Sequence, residues 1–298
     1  MAPIKEHHIT DQQLCVQDHY IQTSLGRLRV RTAGQGSALM FWSSLLMDSE
    51  MWLAQAAYFI GRYLIILVDP PGHGASERLT RSFTFEECAQ CITQILDTLQ
   101  IDQTHFVGNS WGGMIGGTFA ALYPDRVGIS VLMNATATRA SLYQKVEFES
   151  LIRIARFAGK IPELLTNRVI KAFIGTSTAK QRPHVAKEIR MALRRVDIHS
   201  VYWAIKSVVP ARPDQRLRFQ TIRTPVLVIA GAEDRTFPVA ETQVMAASTP
   251  NSEFIVMPET GHLAGLEMPD RVNTIIDDFL QRHQESVLFD QSPYKEST

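Results

Sequence analysis

The sequence predicts an α/β protein: a mostly parallel sheet, helices on both faces, and a helical cap inserted between two late strands. Three observations carry this. Short continuous apolar runs alternate with segments of helical period, the pattern of strands buried on both faces. That alternation stops between about residues 135 and 216, where only helical spacing occurs. A serine set among glycines falls between one predicted strand and the next helix.

The elements follow in order. Residues 1–18 form a polar N-terminal extension with no apolar core, so they do not read as a signal peptide, and a cytoplasmic location is the default expectation. Residues 20–23 and 27–31 alternate apolar and polar around Leu25-Gly26, which reads as a hairpin. Runs at 38–42 and 63–68 are strands, 85–99 has helical period, and 104–107 is a strand that enters Gly108. A helix over 112–122 stops near Pro124, and a strand follows at 128–133. Helical spacing at 142–157, 161–174, 179–196 and 200–208 makes up the cap, 135–216. Strands at 225–230 and 253–257 and a helix over 272–283 complete a core of 19–134 and 217–283. Residues 284–298 read as a polar tail.

Composition excludes several classes. The chain has 298 residues, 45% of them apolar, with 30 basic and 30 acidic side chains and no net charge. Neither a nucleic-acid binder's basic stripe nor a polybasic membrane patch is present. No apolar run reaches the ~18 residues of a membrane-spanning helix. Cys88 and Cys91 have C-x-x-C spacing, but they share one face of a predicted helix and read as small buried apolar side chains. His7, His8 and Cys15 receive no role, so no metal site is expected. Gly34-Gln35-Gly36 lacks the third glycine of a dinucleotide fingerprint, so no cofactor is expected either.

The strongest chemical signal is Gly108-Asn109-Ser110-Trp111-Gly112-Gly113. It fits G-x-S-x-G at a strand-to-helix junction, where a sharp turn exposes the serine hydroxyl and the helix start offers free N–H groups to negative charge. A serine hydroxyl needs a base and a group to orient that base. In this architecture the chain order is serine, acid, histidine. Asp234 follows the strand at 225–230 and His262 follows the strand at 253–257, both at strand C-terminal ends. Glu233 is the rival acid, and Asp234 is preferred because it falls where the pattern places it.

On these residues the chain resembles the α/β-hydrolase fold family, from about Tyr20 to Arg282. Asp69-Pro70-Pro71-Gly72-His73-Gly74-Ala75-Ser76 is similar to the family's D-x-x-G-x-G-x-S turn, which makes His73 structural. Tyr123-Pro124-Asp125-Arg126-Val127 resembles its Y-P-x-R-V, and the run from Gly261 to Pro269 its G-H-x-x-x-x-E-x-P. The family usually carries His-Gly after the third strand, whereas Ser43-Ser44 stands there in this chain. The resemblance then implies the backbone N–H of Leu45 and of Trp111 as oxyanion donors, with Ser43, Ser44, Asn109 and Trp111 as pocket candidates. Trp111 either walls the pocket or packs below it.

The implied activity is hydrolysis of a small carboxylic ester or lactone: attack by Ser110, proton transfer by His262, orientation by Asp234. The stretch Leu45 to Trp52 is similar to that of 3-oxoadipate enol-lactonases. Gly108-Asn109-Ser110-x-Gly112-Gly113 resembles the meta-cleavage-product hydrolases, which break C–C bonds and supply the runner-up. A non-catalytic ligand receptor of the same fold is a third reading. The expected partner is a small-molecule substrate, with no nucleic acid and no membrane. The cap is basic (Arg139, Lys145, Arg153, Arg156, Lys160, Arg168, Lys171), and those charges read first as a solvated face. Phe157, Phe173 and Trp203 read as cap core.

Overall fold

A computed structural model describes residues 14–290, with side chains placed through His283. Eight strands form one sheet: β1 (Gln17–Thr23), β2 (Gly26–Ala33), β3 (Ser37–Trp42), β4 (Tyr63–Val68), β5 (Thr104–Asn109), β6 (Val127–Met133), β7 (Val226–Gly231) and β8 (Ser252–Met257). Their order is β1-β2-β4-β3-β5-β6-β7-β8. β1, β2 and β4 pair antiparallel, and every pairing from β4 through β3 to β8 is parallel. Sequence and sheet agree because the central strands are continuous apolar runs. All seven residues of β6 are buried.

Side chains alternate across the sheet, as the period of two requires. Met40, Trp42, Phe106 and Leu132 enter one core layer, while Leu39, Phe41, Val107 and Val131 enter the other. The first layer is closed by α2 (Phe85–Thr98) and α3 (Trp111–Leu122). Helix α2 begins with a capping box in which Thr84 Oγ1 accepts from Glu87 N–H and Glu87 accepts from Thr84 N–H. Cys88 and Cys91 lie on its buried face, and burial raises both thiols. The second layer is closed by α1 (Leu53–Phe59) and by the last helix, Pro269–Asp290. That helix begins before residue 272 and runs seven residues into the stretch read as a polar tail. Residues 1–13 of the extension and 291–298 of the tail lie outside the described residues.

Between β6 and β7 the chain forms α4 (Leu142–Ala158), α5 (Glu163–Phe173), α6 (Thr176–Gln181), α7 (Pro183–Arg195) and α8 (Ile198–Val208). The sequence reading had four helices here. The third divides because Pro183 cannot continue a helix and Arg182, just before it, leaves helical geometry at φ −134°. A short α9 (Arg216–Phe219) leads into β7, and α10 (Val239–Ala247), which the sequence reading missed, joins β7 to β8. Among the described residues no helix is long and apolar enough to cross a membrane.

Candidate active site

The loops that follow β3, β5, β6, β7 and β8 open at the same edge of the sheet. They carry Leu45, Ser110, Asn134, Asp234 and His262. The parallel register forces this convergence, since every one of these strands points the same way.

Ser110 sits at the β5–α3 turn with φ 57° and ψ −113°, a strained conformation for a residue with a Cβ. The turn is tight enough that a Cβ on Gly108 would meet Gly112 O at 2.2 Å, and one on Gly112 would meet Trp42 O at 2.2 Å. Ser110 N–H donates to Met133 O at 2.8 Å, which pins the turn to β6.

His262 is fully buried, and its Nδ1 lies 2.8 Å from Asp234 Oδ2. The other carboxylate oxygen accepts from the N–H groups of Thr236 (2.7 Å) and Phe237 (3.0 Å). Asn134 Nδ2 donates to Asp234 Oδ2 at 3.0 Å and to Gly261 O at 2.8 Å. Asp234 is thereby fixed by three donors besides the imidazole. Asn134 was not found from the sequence. Its one local mark is a left-handed backbone, φ 49°, at the end of β6. His262 Nε2 has no hydrogen-bond partner among the described residues and faces the same cavity as Ser110.

Glu233, the rival acid, points elsewhere. Its carboxylate accepts from Ser177 N–H (2.8 Å) and Ser177 Oγ (2.6 Å), bonds that hold it below the usual carboxylate range. It ties the helical insertion to the β7 loop. Glu267, the acid of G-H-x-x-x-x-E-x-P, does the same for the histidine loop. It accepts from the N–H groups of Gly175 and Gly261 at 2.9 Å and of Leu263 at 3.1 Å, while its burial pushes its own carboxyl up.

The two backbone donors implied by the resemblance are placed differently. Trp111 N–H is the first of α3, where no helical acceptor exists. Leu46 N–H donates to His73 Nε2 at 3.0 Å, which fixes the loop that carries Leu45. His73 is buried, and desolvation holds its pKa below the ordinary histidine value.

A cavity of about 340 Å³ is lined by Leu45, Leu46, Ser110, Phe237, His262 and residues of the helical insertion. Four pocket candidates from the sequence do not line it. The Trp111 ring stacks on Phe83 at 5.7 Å and meets Trp42 edge-on at 6.1 Å, inside the α2–α3 core layer. Ser43 Oγ donates to Asp48 O at 2.8 Å. Asn109 Nδ2 donates to Ser44 Oγ at 2.8 Å and to His262 O at 2.9 Å. These polar side chains are buried and bonded behind the site, so they brace it. Conversely Phe173 packs against the core and also lines the cavity, 5.4 Å from the His262 ring, whereas Phe157 is 97% exposed and is not cap core. Arg168 of the basic set lines the cavity in an ion pair with Glu147, and Arg212 and Arg235 line it unforeseen.

A family model for the alpha/beta hydrolase fold matches residues 37–269. The chain belongs to the alpha/beta hydrolase family. Within that family it is 28% identical over 257 residues to 3-oxoadipate enol-lactonase 2 of Acinetobacter baylyi, covering 86% of this chain and 93% of that one. It is 29% identical over 266 residues to the 2-hydroxy-6-oxononadienedioate/2-hydroxy-6-oxononatrienedioate hydrolase of Paraburkholderia phymatum, covering 88% and 90%. Among solved hydrolases, a thermophilic esterase of Thermogutta terrifontis superposes with a TM-score of 0.83 at 26% identity, over 90% of this chain and 99% of that one. The enol-lactonase of Burkholderia xenovorans superposes with a TM-score of 0.81 at 24% identity, over 88% and 100%, a likeness of fold.

Proposed function

We propose that the protein is a serine hydrolase that cleaves a small carboxylic ester or lactone by acyl transfer. The observation that carries this reading is the buried Asp234–His262 pair, with His262 and Ser110 on one cavity wall. Ser110 attacks the carbonyl carbon while His262 Nε2 takes its proton. Asp234 holds the imidazole tautomer that leaves Nε2 able to accept, and stabilises the cation that forms. Nε2 has no hydrogen-bond partner among the described residues, and the bond from the Ser110 hydroxyl to it forms when substrate closes the site. The amides of Leu45 and Trp111 hold the oxyanion. His262 then returns the proton to the leaving oxygen, and water, activated by the same imidazole, releases the acyl group. Residues 135–216 act as the cap that selects the substrate, since α4, α5 and α8 supply much of the cavity wall.

The similarity to an enol-lactonase and to an esterase supports ester or lactone cleavage. The comparable similarity to a C–C bond hydrolase supports the second reading. A panel of p-nitrophenyl esters, lactones and a vinylogous 1,5-diketone, run with wild type and Ser110→Ala, separates them. Ester or lactone turnover reduced at least 10³-fold by Ser110→Ala is the expected result. Turnover confined to the diketone moves the assignment to C–C hydrolysis, and ligand binding without turnover moves it to a receptor.

A further inference from the structure

The cavity beside Ser110 has mostly apolar walls, and its charged lining residues are Glu147, Arg168, Arg212 and Arg235. Glu147 and Arg168 neutralise each other. Arg235 is exposed and donates to Thr176 Oγ1 at 2.8 Å. Arg212 is different. It is 4% exposed, and its Nε donates to Thr138 O at 2.8 Å. Its buried Nη2 has no hydrogen-bond partner among the described residues. Nor does it form an ion pair among them. The one carboxylate that acts on it at longer range is Glu241, whose Oε1 accepts from the Thr138 hydroxyl at 3.0 Å. Desolvation therefore outweighs attraction and lowers the guanidinium's pKa, although an arginine stays charged.

A buried cation without a paired anion is costly even where a carbonyl and an aromatic ring contact it, and a guanidinium has a fixed fork that matches a carboxylate. The Phe237 ring centroid lies 5.3 Å from the Arg212 guanidinium and 5.6 Å from the His262 ring. Guanidinium and imidazole are thus within one small molecule's length, and apolar walls join them.

We propose that Arg212 is an anion-binding residue of this cavity, and that the substrate carries a carboxylate joined by an apolar chain to its ester or lactone carbonyl. The carbonyl's position rests on the serine-hydrolase reading; the carboxylate's position rests on the cavity alone. Arg212 is a specificity residue: it holds the far end of the substrate and leaves the reacting atoms to Ser110 and His262.

The test titrates heptanoate and 1-heptanol, two probes of equal chain length, into wild type, Arg212→Gln and Arg212→Lys, with circular dichroism as the fold control. Wild type should bind heptanoate at least tenfold more tightly than heptanol. Arg212→Gln should abolish that preference and leave heptanol binding unchanged, and Arg212→Lys should keep part of it. Equal binding of the two probes to wild type overturns the proposal even if Arg212→Gln fails to fold. An undiminished preference in folded Arg212→Gln overturns it too. In parallel, kcat/KM for the mono-p-nitrophenyl ester of heptanedioic acid is compared with that for p-nitrophenyl heptanoate. Their ratio should fall at least tenfold in Arg212→Gln. Carboxylate preference with no turnover of either ester would retain the anion site and reject the serine-hydrolase reading.

Discussion

Asp234 Oδ2 and His262 Nδ1 are 2.8 Å apart, inside the protein, and Asp234 Oδ1 is held by two backbone N–H groups. The carboxylate cannot swing away, so it fixes the imidazole with Nε2 towards the cavity. Asp234→Asn puts an amide where Nδ1–H needs an acceptor and favours the wrong tautomer. Its kcat on the best ester of the panel should fall about 10³- to 10⁴-fold. Glu233→Gln should keep kcat within about threefold, because Glu233 bonds Ser177 and not the imidazole. A loss of the same size in both variants would reject the assignment of Asp234.

Leu46 has a left-handed backbone, φ 68°, and is held there by His73 Nε2. In the proposed mechanism His73 is a positioning residue for the neighbouring Leu45 amide. His73→Ala releases the loop, and kcat should fall about tenfold with KM changed less than twofold, the signature of a donor that counts in the transition state. A change in KM alone would mean the loop shapes binding instead.

The elbow tolerates no side chain at Gly112. A Cβ there lies 2.2 Å from the main-chain oxygen of Trp42, in the middle of the sheet, so β3 or α3 must move. Gly112→Ala should cost about 2 kcal/mol or more, read as a lower urea midpoint at unchanged slope. An unchanged midpoint would show the junction to be looser than the packing implies.

His105, buried on β5, has its pKa lowered from 6.5 to about 4 by desolvation. The unfolded chain therefore binds a proton in this window when the folded chain does not, and stability falls as pH drops from about 6.5 towards 4. At about 1.4 kcal/mol per unit of pH, this one group costs the fold on the order of 2–3 kcal/mol at the acid end. His105→Gln removes the titration. Its unfolding free energy should decline less than that of wild type between pH 7 and pH 4.5, and equal declines would rule His105 out as the acid-sensitive group.

The strands, the Gly108–Gly113 turn and the placing of Ser110, Asp234 and His262 after strand ends were legible in the sequence because each leaves a local mark. Buried parallel strands are unbroken apolar runs, the elbow needs glycines at set positions, and strand ends place the loops. The same locality explains the errors. Helix α10 has only a weak apolar stripe, since it covers the edge pair β7 and β8. Trp111 reads as either wall or core until Trp42 and Phe83 are seen around it. Phe173 and Phe157 have the same residue type and similar helical settings, yet one meets His262 and the other meets solvent. Tertiary structure alone decided that Asn134 braces Asp234, that Glu233 serves the insertion, and that Arg212 is buried beside the cavity with a nitrogen unpaired among the described residues. The physical reason is common to all of them. Periodicity records which face of an element is apolar, but a polar side chain's role depends on the partner brought to it from a distant part of the chain.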